Sequence, residues 1–231
     1  MDVLLWIFFI GVDVTVNQDE ISDHETFQLE FDRATKHWYI RTMQDKYWTL
    51  ESSGGIQANA HKGSSNSLFD MVWQGDGSVA FVANNGKYVA AKKSGHLYAN
   101  SDKVEDMEKF YFFLINRRSL VLKCEQGFVG YKSSTSSKLE SNKACYETNM
   151  VERKDKGICY FKGSSNDKYW RVAEDGSIDV DADTADGFYI ELREPSKLCL
   201  KTTHGNYLVA DKNGAFRVNG SDPSCATLWE Y

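Results

Sequence analysis

Histidines, alternating aspartates and cysteines are the residues of this 231-residue chain that could do chemistry by type and spacing. The five histidines (His24, His37, His61, His96, His204) lie far apart, with no HExxH pair and no cysteine at ligand spacing. They are expected to be ordinary surface or turn residues. Asp179, Asp181 and Asp183 start like a calcium loop, but Thr184 stands where that loop needs glycine and Ile190 where it needs a bidentate glutamate. The five cysteines (Cys124, Cys145, Cys159, Cys199, Cys225) are odd in number and lack CxxC spacing, so buried free thiols in a reducing compartment are expected. There is no GxSxG, P-loop or GxGxxG. The sequence implies no metal or cofactor and no catalytic constellation. It reads as a binding or scaffolding protein, not an enzyme.

Charge is the remaining chemistry. A net charge of −6 argues against nucleic acid as a partner of the whole chain. Residues 1–115 carry 10 Lys/Arg against 16 Asp/Glu, and residues 116–231 carry 17 against 17. Within 116–145 six basic residues (Arg117, Arg118, Lys123, Lys132, Lys138, Lys143) face two acidic ones (Glu125, Glu140). That is a basic patch if the fold gathers them on one face, and a solvated surface if it does not.

The elements that would position these residues recur. Asp45-Lys46-Tyr47-Trp48-Thr49-Leu50 returns as Asp167-Lys168-Tyr169-Trp170-Arg171-Val172, with weaker copies at Gly86–Ala91, Gly127–Gly130 and Gly205–Ala210. The aromatic positions Tyr47, Tyr88, Phe128, Tyr169 and Tyr207 step by 41, 40, 41 and 38 residues. Three periods of about 40 residues make one larger unit, and the unit occurs twice. Each period reads as a buried strand with apolar alternation, a hairpin whose turn carries Asn, Asp or Gly, and a short strand opening on glycine. Outside one helical turn over Asp102–Lys109 nothing holds a helical apolar period. The fold class is therefore all-β: two tandem β-trefoil domains, over 1–115 and 116–231, because no single repeat can bury its apolar face but three around an axis can. Tyr47, Trp48, Tyr88, Tyr169, Trp170 and Tyr207 are expected in the core or the hairpin caps. An aromatic binding face is the alternative.

The apolar run Val3–Ile10 is too short to span a bilayer and lacks the basic flank and cleavage site of a signal peptide. Subtracting about 120 residues from the second unit lays the start of Ser119–Lys123 at or before Met1. The first unit is therefore expected to lack its opening strand, to belong to an incomplete chain, and to be the less stable, aggregation-prone half.

Asn17-Gln18-Asp19-Glu20, His24–Glu30, Lys46–Leu50, Asn85–Val89, Lys92-Lys93-Ser94-Gly95, Leu114–Arg117, Gly127–Gly130 and the terminal Leu228-Trp229-Glu230-Tyr231 together resemble fascin, in order and spacing, from about Gly11 to the last residue. The resemblance is to the third and fourth of that family's four β-trefoils. It implies a cytoplasmic protein of the cytoskeleton, likewise a monomer, whose partner is F-actin and which bundles actin filaments in filopodia and similar actin-rich protrusions. No membrane insertion is implied.

By matching position, the resemblance implies actin-binding roles for Lys92 and Lys93 in the first unit and Lys132 and Lys201 in the second. Ser133 and Val209 stand where the family has further basic residues. Because the principal cleft of the family also uses the first trefoil, weak filament binding without bundling is expected of this half. The alternatives are a β-trefoil lectin, against which the missing Gln-x-Trp triplets speak, a growth-factor-like trefoil, against which the acidic first unit speaks, and a structural paralogue without actin binding.

Overall fold

The structure, a computed structural model, describes residues 2–4, 8–10, 13–16, 26–115, 117–193 and 197–231, with the strands 2–4 and 8–10 described by backbone pairing alone. The motif Asn17–Glu20 and His24 lie outside the described residues. The chain is all-β, and its helical turns are short 3-10 segments such as Asp106–Glu108, inside the stretch where one turn is predicted. It forms two compact units, one of Met1–Gln74 and Ser78–Asn116, the other of Gly75–Gly77 and Arg117–Tyr231.

In the second unit, Asn149–Arg153 pairs with Cys159–Gly163 and Phe188–Leu192 with Lys197–Thr202. Three further hairpins cap them: Gly127–Tyr131 with Leu139–Lys143, Tyr169–Val172 with Ile178–Ala182, and Tyr207–Ala210 with Phe216–Gly220. The caps close on one another in a ring. Val180 N–H donates to Ser137 C=O, Val218 N–H to Gly176 C=O, and Ser141 N–H to Gly214 C=O. The first unit repeats this with Ala99 N–H on Gly54 C=O, Val16 N–H on Gly95 C=O, and the pairing of Asp13 with Gln57. This threefold closure is the β-trefoil architecture.

The period of about 40 residues has a backbone cause. The register shifts immediately after each periodic aromatic, at Tyr47/Trp48, Tyr88/Val89, Phe128/Gly130, Tyr169/Trp170 and Tyr207/Leu208. Such a bulge bends the strand and re-aims the side chain that follows. That following residue (Trp48, Val89, Val129, Trp170, Leu208) is completely buried in all five copies. Tyr47 and Tyr207 are buried beside it, while Tyr88 and Tyr169 are half-buried. The aromatics belong to core and cap, as their recurrence demands.

Each core is built around a tryptophan. Trp170 meets Phe161, Phe188 and Phe216 at 4.7, 5.9 and 5.5 Å between centroids, and Phe216 meets Trp229 at 5.2 Å. Trp48 meets Phe27, Phe81 and Phe69 at 5.3, 5.9 and 6.1 Å. Each such pair adds about 0.5–1.5 kcal/mol beyond the area it buries.

The opening strand expected to be missing is present. Asp2–Leu4 pairs with Thr26–Gln28 and with Phe113–Leu114. It stands where Ser119–Leu120 pairs with Asn149–Met150 in the second unit. The neighbours of this strand therefore keep their ladder partners, which removes the reason given for a sticky edge there. What differs is the connection that follows, from Leu4 to Phe8 here but from Leu120 to Gly127 there, the longer one including Lys123–Cys124.

Candidate functional site: lysines at the hairpin caps

Lys92 and Lys93 enter the turn after the strand Tyr88–Ala91. Lys92 N–H donates to His96 C=O (2.9 Å), Gly95 N–H donates to Lys92 C=O (2.8 Å), and Gly95 takes φ +86°, a conformation that suits a residue without Cβ. The tight turn pushes its middle outwards. Lys93 is exposed, and Lys92 is half-buried with its ammonium donating to Asn100 Oδ1 at 2.8 Å. A neutral amide leaves the charge of Lys92 uncompensated in that bond.

Lys132 follows the strand Gly127–Tyr131, at the start of the turn, and its side chain is 59% exposed. Its ammonium lies 3.8 Å from Glu140, a carboxylate shared with Lys143 at 2.8 Å. Other members of the basic stretch are likewise engaged. Lys123 faces Glu230 at 3.8 Å and the Phe128 ring, and Arg117 lies over Tyr231. Lys138 is held by Asp175 at 2.9 Å, and that hydrogen bond raises the lysine's pKa, while Ser177 first and Lys138 second hold Asp175 below the usual carboxylate range. These pairs spread the stretch over several acidic neighbours.

Lys201 is a different kind of residue. It is only 5% exposed, lies 3.7 Å from Glu191, which is fully buried, and sits over the Tyr207 ring at 5.5 Å. Glu191 accepts from Tyr207 Oη at 3.0 and 3.1 Å and from Arg193. The same arrangement recurs: Tyr47 Oη donates to Glu30 (3.3 Å) and Tyr169 Oη to Glu152 (3.0 Å). Cross-strand partners of four of the five periodic aromatics are cations, Arg41 for Tyr47, Lys162 for Tyr169, Lys123 for Phe128 and Lys201 for Tyr207, while Tyr88 pairs with Val82. Lys201 is thus one of a repeating set of cations that brace the caps. Its burial removes it from the surface lysines expected to touch a partner, and its strand position opposite Tyr207 is the sequence sign that separates it from them.

Three aspartates singled out by spacing are taken up by cations or hydroxyls: Asp179 by Ser137 and Arg171, Asp181 by Arg171, Asp183 by Lys168. Among the described residues no group of three His, Cys, Asp or Glu could hold a metal ion, and no helix is long and apolar enough to cross a membrane. All five cysteines are free. Cys124, Cys159 and Cys199 are buried, but Cys145 and Cys225 are exposed, contrary to the expectation that all would be buried.

The model of the fascin domain matches residues 9–112 and 124–231. The chain belongs to the fascin family. Curated relatives include Fascin-2 of Bos taurus, 38% identical over 221 residues (96% of this chain, 44% of that protein), and Fascin of Strongylocentrotus purpuratus, 34% identical over 233 residues (96% and 45%). Fascin-3 of Homo sapiens is more distant, at 23% identity over 219 residues (95% and 43%). This fascin chain spans less than half the length of the curated relatives it matches.

Sequence reasoning missed a surface feature of the second unit of this fascin chain. A cleft of about 660 Å³ is lined by Tyr131, the run Ser133–Ser137, Ser165, Asn166 and Lys168. Its signal was available in the spacing. The turn from Lys132 to Lys138 is two residues longer than the turn from Lys92 to His96.

Proposed function

We propose that this chain binds actin filaments through lysines presented at its hairpin caps, as a cytoplasmic, non-enzymatic component of actin-filament bundles. Membership of the fascin family supports the reading, and the resemblance implies filament-binding roles for Lys92, Lys93 and Lys132. The geometry supports the choice of residues. Lys93 and Lys132 are exposed, and Lys92 spends its hydrogen bond on an uncharged partner. Lys201 acts inside the fold, bracing Glu191 and Tyr207, so its contribution to binding is indirect.

The filament surface is acidic, so exposed ammonium groups gain from attraction that salt screens over about 8–10 Å. The 231 residues are expected to co-sediment with filaments at high speed and to lose binding as salt rises from 50 to 200 mM. Cross-linking needs two separated surfaces on one particle, and low-speed pelleting of bundles by these residues alone is not expected. The deciding test reverses charge at Lys92 and Lys93 together. Filament binding should fall several-fold while the melting temperature stays within about 2 °C, because exposed charges contribute little to folding. Unchanged binding would remove both lysines from the site, and absence of sedimentation by the parent chain at low salt would remove the reading.

A further inference from the structure

Four cap turns close alike. Glu51, Lys92, Ala173 and Asp211 each donate their N–H to the carbonyl four residues on, with a glycine at positive φ inside the turn (Gly54 +85°, Gly95 +86°, Gly176 +78°, Gly214 +88°). The turn after Tyr131 contains no glycine and closes six residues on, from Lys132 N–H to Lys138 C=O at 2.8 Å. Its extra length makes one wall of the cleft of about 660 Å³, and Ser165, Asn166 and Lys168 make the other. That volume falls within the roughly 300–1,000 Å³ of small-molecule sites, whose walls are mostly apolar. These walls are not: six serine and threonine hydroxyls, from residues 133–137 and Ser165, surround one aromatic ring, Tyr131.

The bonds that hold the cleft in shape leave part of its chemistry unused. Asn166 Nδ2 donates to Val180 C=O (2.8 Å), and its Oδ1 accepts from Lys168 N–H (3.2 Å). Ser165 Oγ donates to Tyr131 Oη at 3.2 Å. Gly163 leaves room for that phenol, since a Cβ there would lie 2.6 Å from Tyr131 Oη. Two charged walls are neutralised, Lys168 by Asp183 and Asp181 by Arg171. Glu147 is not. Its backbone is fixed, with N–H on Val129 C=O (3.4 Å) and C=O accepting from Asn149 Nδ2 (3.3 Å). Its half-buried carboxylate lines the cleft and has no partner among the described residues. The Ser134 hydroxyl is likewise unengaged there, and accepting from Ser165 leaves the Tyr131 Oη proton unspent.

The geometry points to this cleft as a binding site for a neutral carbohydrate of one to three sugar units. A carboxylate accepts from two adjacent sugar hydroxyls in charge-assisted bonds, and serine hydroxyls turn to donate or accept as the ligand requires. A phenol ring covers the apolar C–H face of a pyranose. An anion is disfavoured, because the unpaired charge on the lining is negative and the Lys168 ammonium is already held by Asp183. An apolar ligand would leave the hydroxyls unpaired. Ser133, Ser134 and Thr135 are exposed at the rim, so water competes and the dissociation constant should be on the order of 1 mM. Neither Lys92, Lys93 nor Lys132 lines the cleft, and the site stands independently of filament binding.

The test follows backbone amide shifts of the isotope-labelled 231-residue chain by NMR, without actin. Free mono-, di- and trisaccharides of glucose, galactose, mannose and N-acetylglucosamine are added one at a time to about 20 mM, enough to fill a site of that affinity. At least one sugar should shift Ser134, Thr135, Glu147 and Ser165 saturably. Glu147→Gln keeps the size and the backbone bonds of the residue. It should weaken that sugar at least about tenfold at an unchanged melting temperature, through loss of the charge-assisted bonds. The phosphate ester of the same sugar should bind no more tightly than the sugar itself. Absence of saturable shifts with every sugar, or shifts confined to residues outside the cleft, overturns the site, and the parent's map decides this even where the variant proves less stable. Unchanged affinity in a folded Glu147→Gln overturns the role of the carboxylate, and tighter binding of the phosphate ester overturns the neutral class of ligand.

Discussion

The same residue type does opposite work according to its place in a repeat. Lys93 sits on a turn, exposed, while Lys201 sits opposite Tyr207 with its ammonium beside a carboxylate that no water reaches. Lys201→Gln should therefore cost roughly 2–4 kcal/mol, because breaking a buried pair leaves Glu191 with only part of its compensation. Urea midpoints of this variant and of the charge-reversed Lys92/Lys93 variant should separate the two roles: a large shift in the first, almost none in the second. The thiols divide in the same way. Burial pushes the Cys159 thiol up to about 12 and raises Cys199 as well, so both are poor nucleophiles at neutral pH. A maleimide reagent at pH 7.5 should label Cys145 and Cys225 quickly and Cys124, Cys159 and Cys199 only on unfolding. Five equal labelling rates would contradict the burial.

At the scale of the hairpin, the caps depend on backbone conformations that side chains resist. Gly176 takes φ +78°, and a Cβ there would lie 2.9 Å from Val218 C=O, the carbonyl of a neighbouring cap. Gly205 takes φ +93° but faces open space. Gly205→Ala should cost about 1 kcal/mol in backbone strain, and Gly176→Ala about 1–2 kcal/mol more, since it also pushes two caps apart. Chemical denaturation of the pair measures the difference directly. The periodic aromatics and the Gly-bearing turns made the all-β trefoil readable from sequence, because packing once per repeat and positive φ each leave a residue-type mark. Bulges leave none: the register shift after Tyr88 and the one after Tyr169 precede different residues, Val89 and Trp170. The opening strand was misjudged for a similar reason. A single offset between the units assumes equal hairpins, whereas the link from Leu4 to Phe8 is shorter than that from Leu120 to Gly127. For the lysines, sequence gave position by resemblance but not depth, and depth is what separates Lys93 from Lys201.

Across the whole molecule, ionisation should confine stability to a middle range of pH, and the two limits have different causes. On the acid side, burial alone would raise the Glu30 carboxyl, but Lys62, Arg41 and Tyr47 outweigh it and hold the group below its ordinary value. Asp183 is lowered by Lys168, Asp32 by Thr35, and Asp222 by Ser224. For depressed carboxyls the stabilisation is complete above the unfolded value of about 4 and is lost as pH falls through the folded ones. On the alkaline side the groups are raised. Burial and the Glu191 charge keep Tyr207 protonated well above its usual range, burial and Glu30 do the same for Tyr47, and the Glu152 hydrogen bond leads for Tyr169. A phenol that stays protonated in the fold but ionises in the unfolded chain stabilises fully below about 10 and ever less as pH rises toward its folded value. The buried Cys159 and Cys199 thiols begin this loss earlier, above about 8.5. Urea midpoints should therefore be nearly flat from about pH 5 to 8.5 and fall on both sides. Tyr207→Phe separates the causes: it should lower stability at pH 7 by about 1–2 kcal/mol, through the lost bond to Glu191, yet make the decline above pH 10 shallower. A variant whose alkaline decline runs parallel to the parent's would show that Tyr207 does not set that limit.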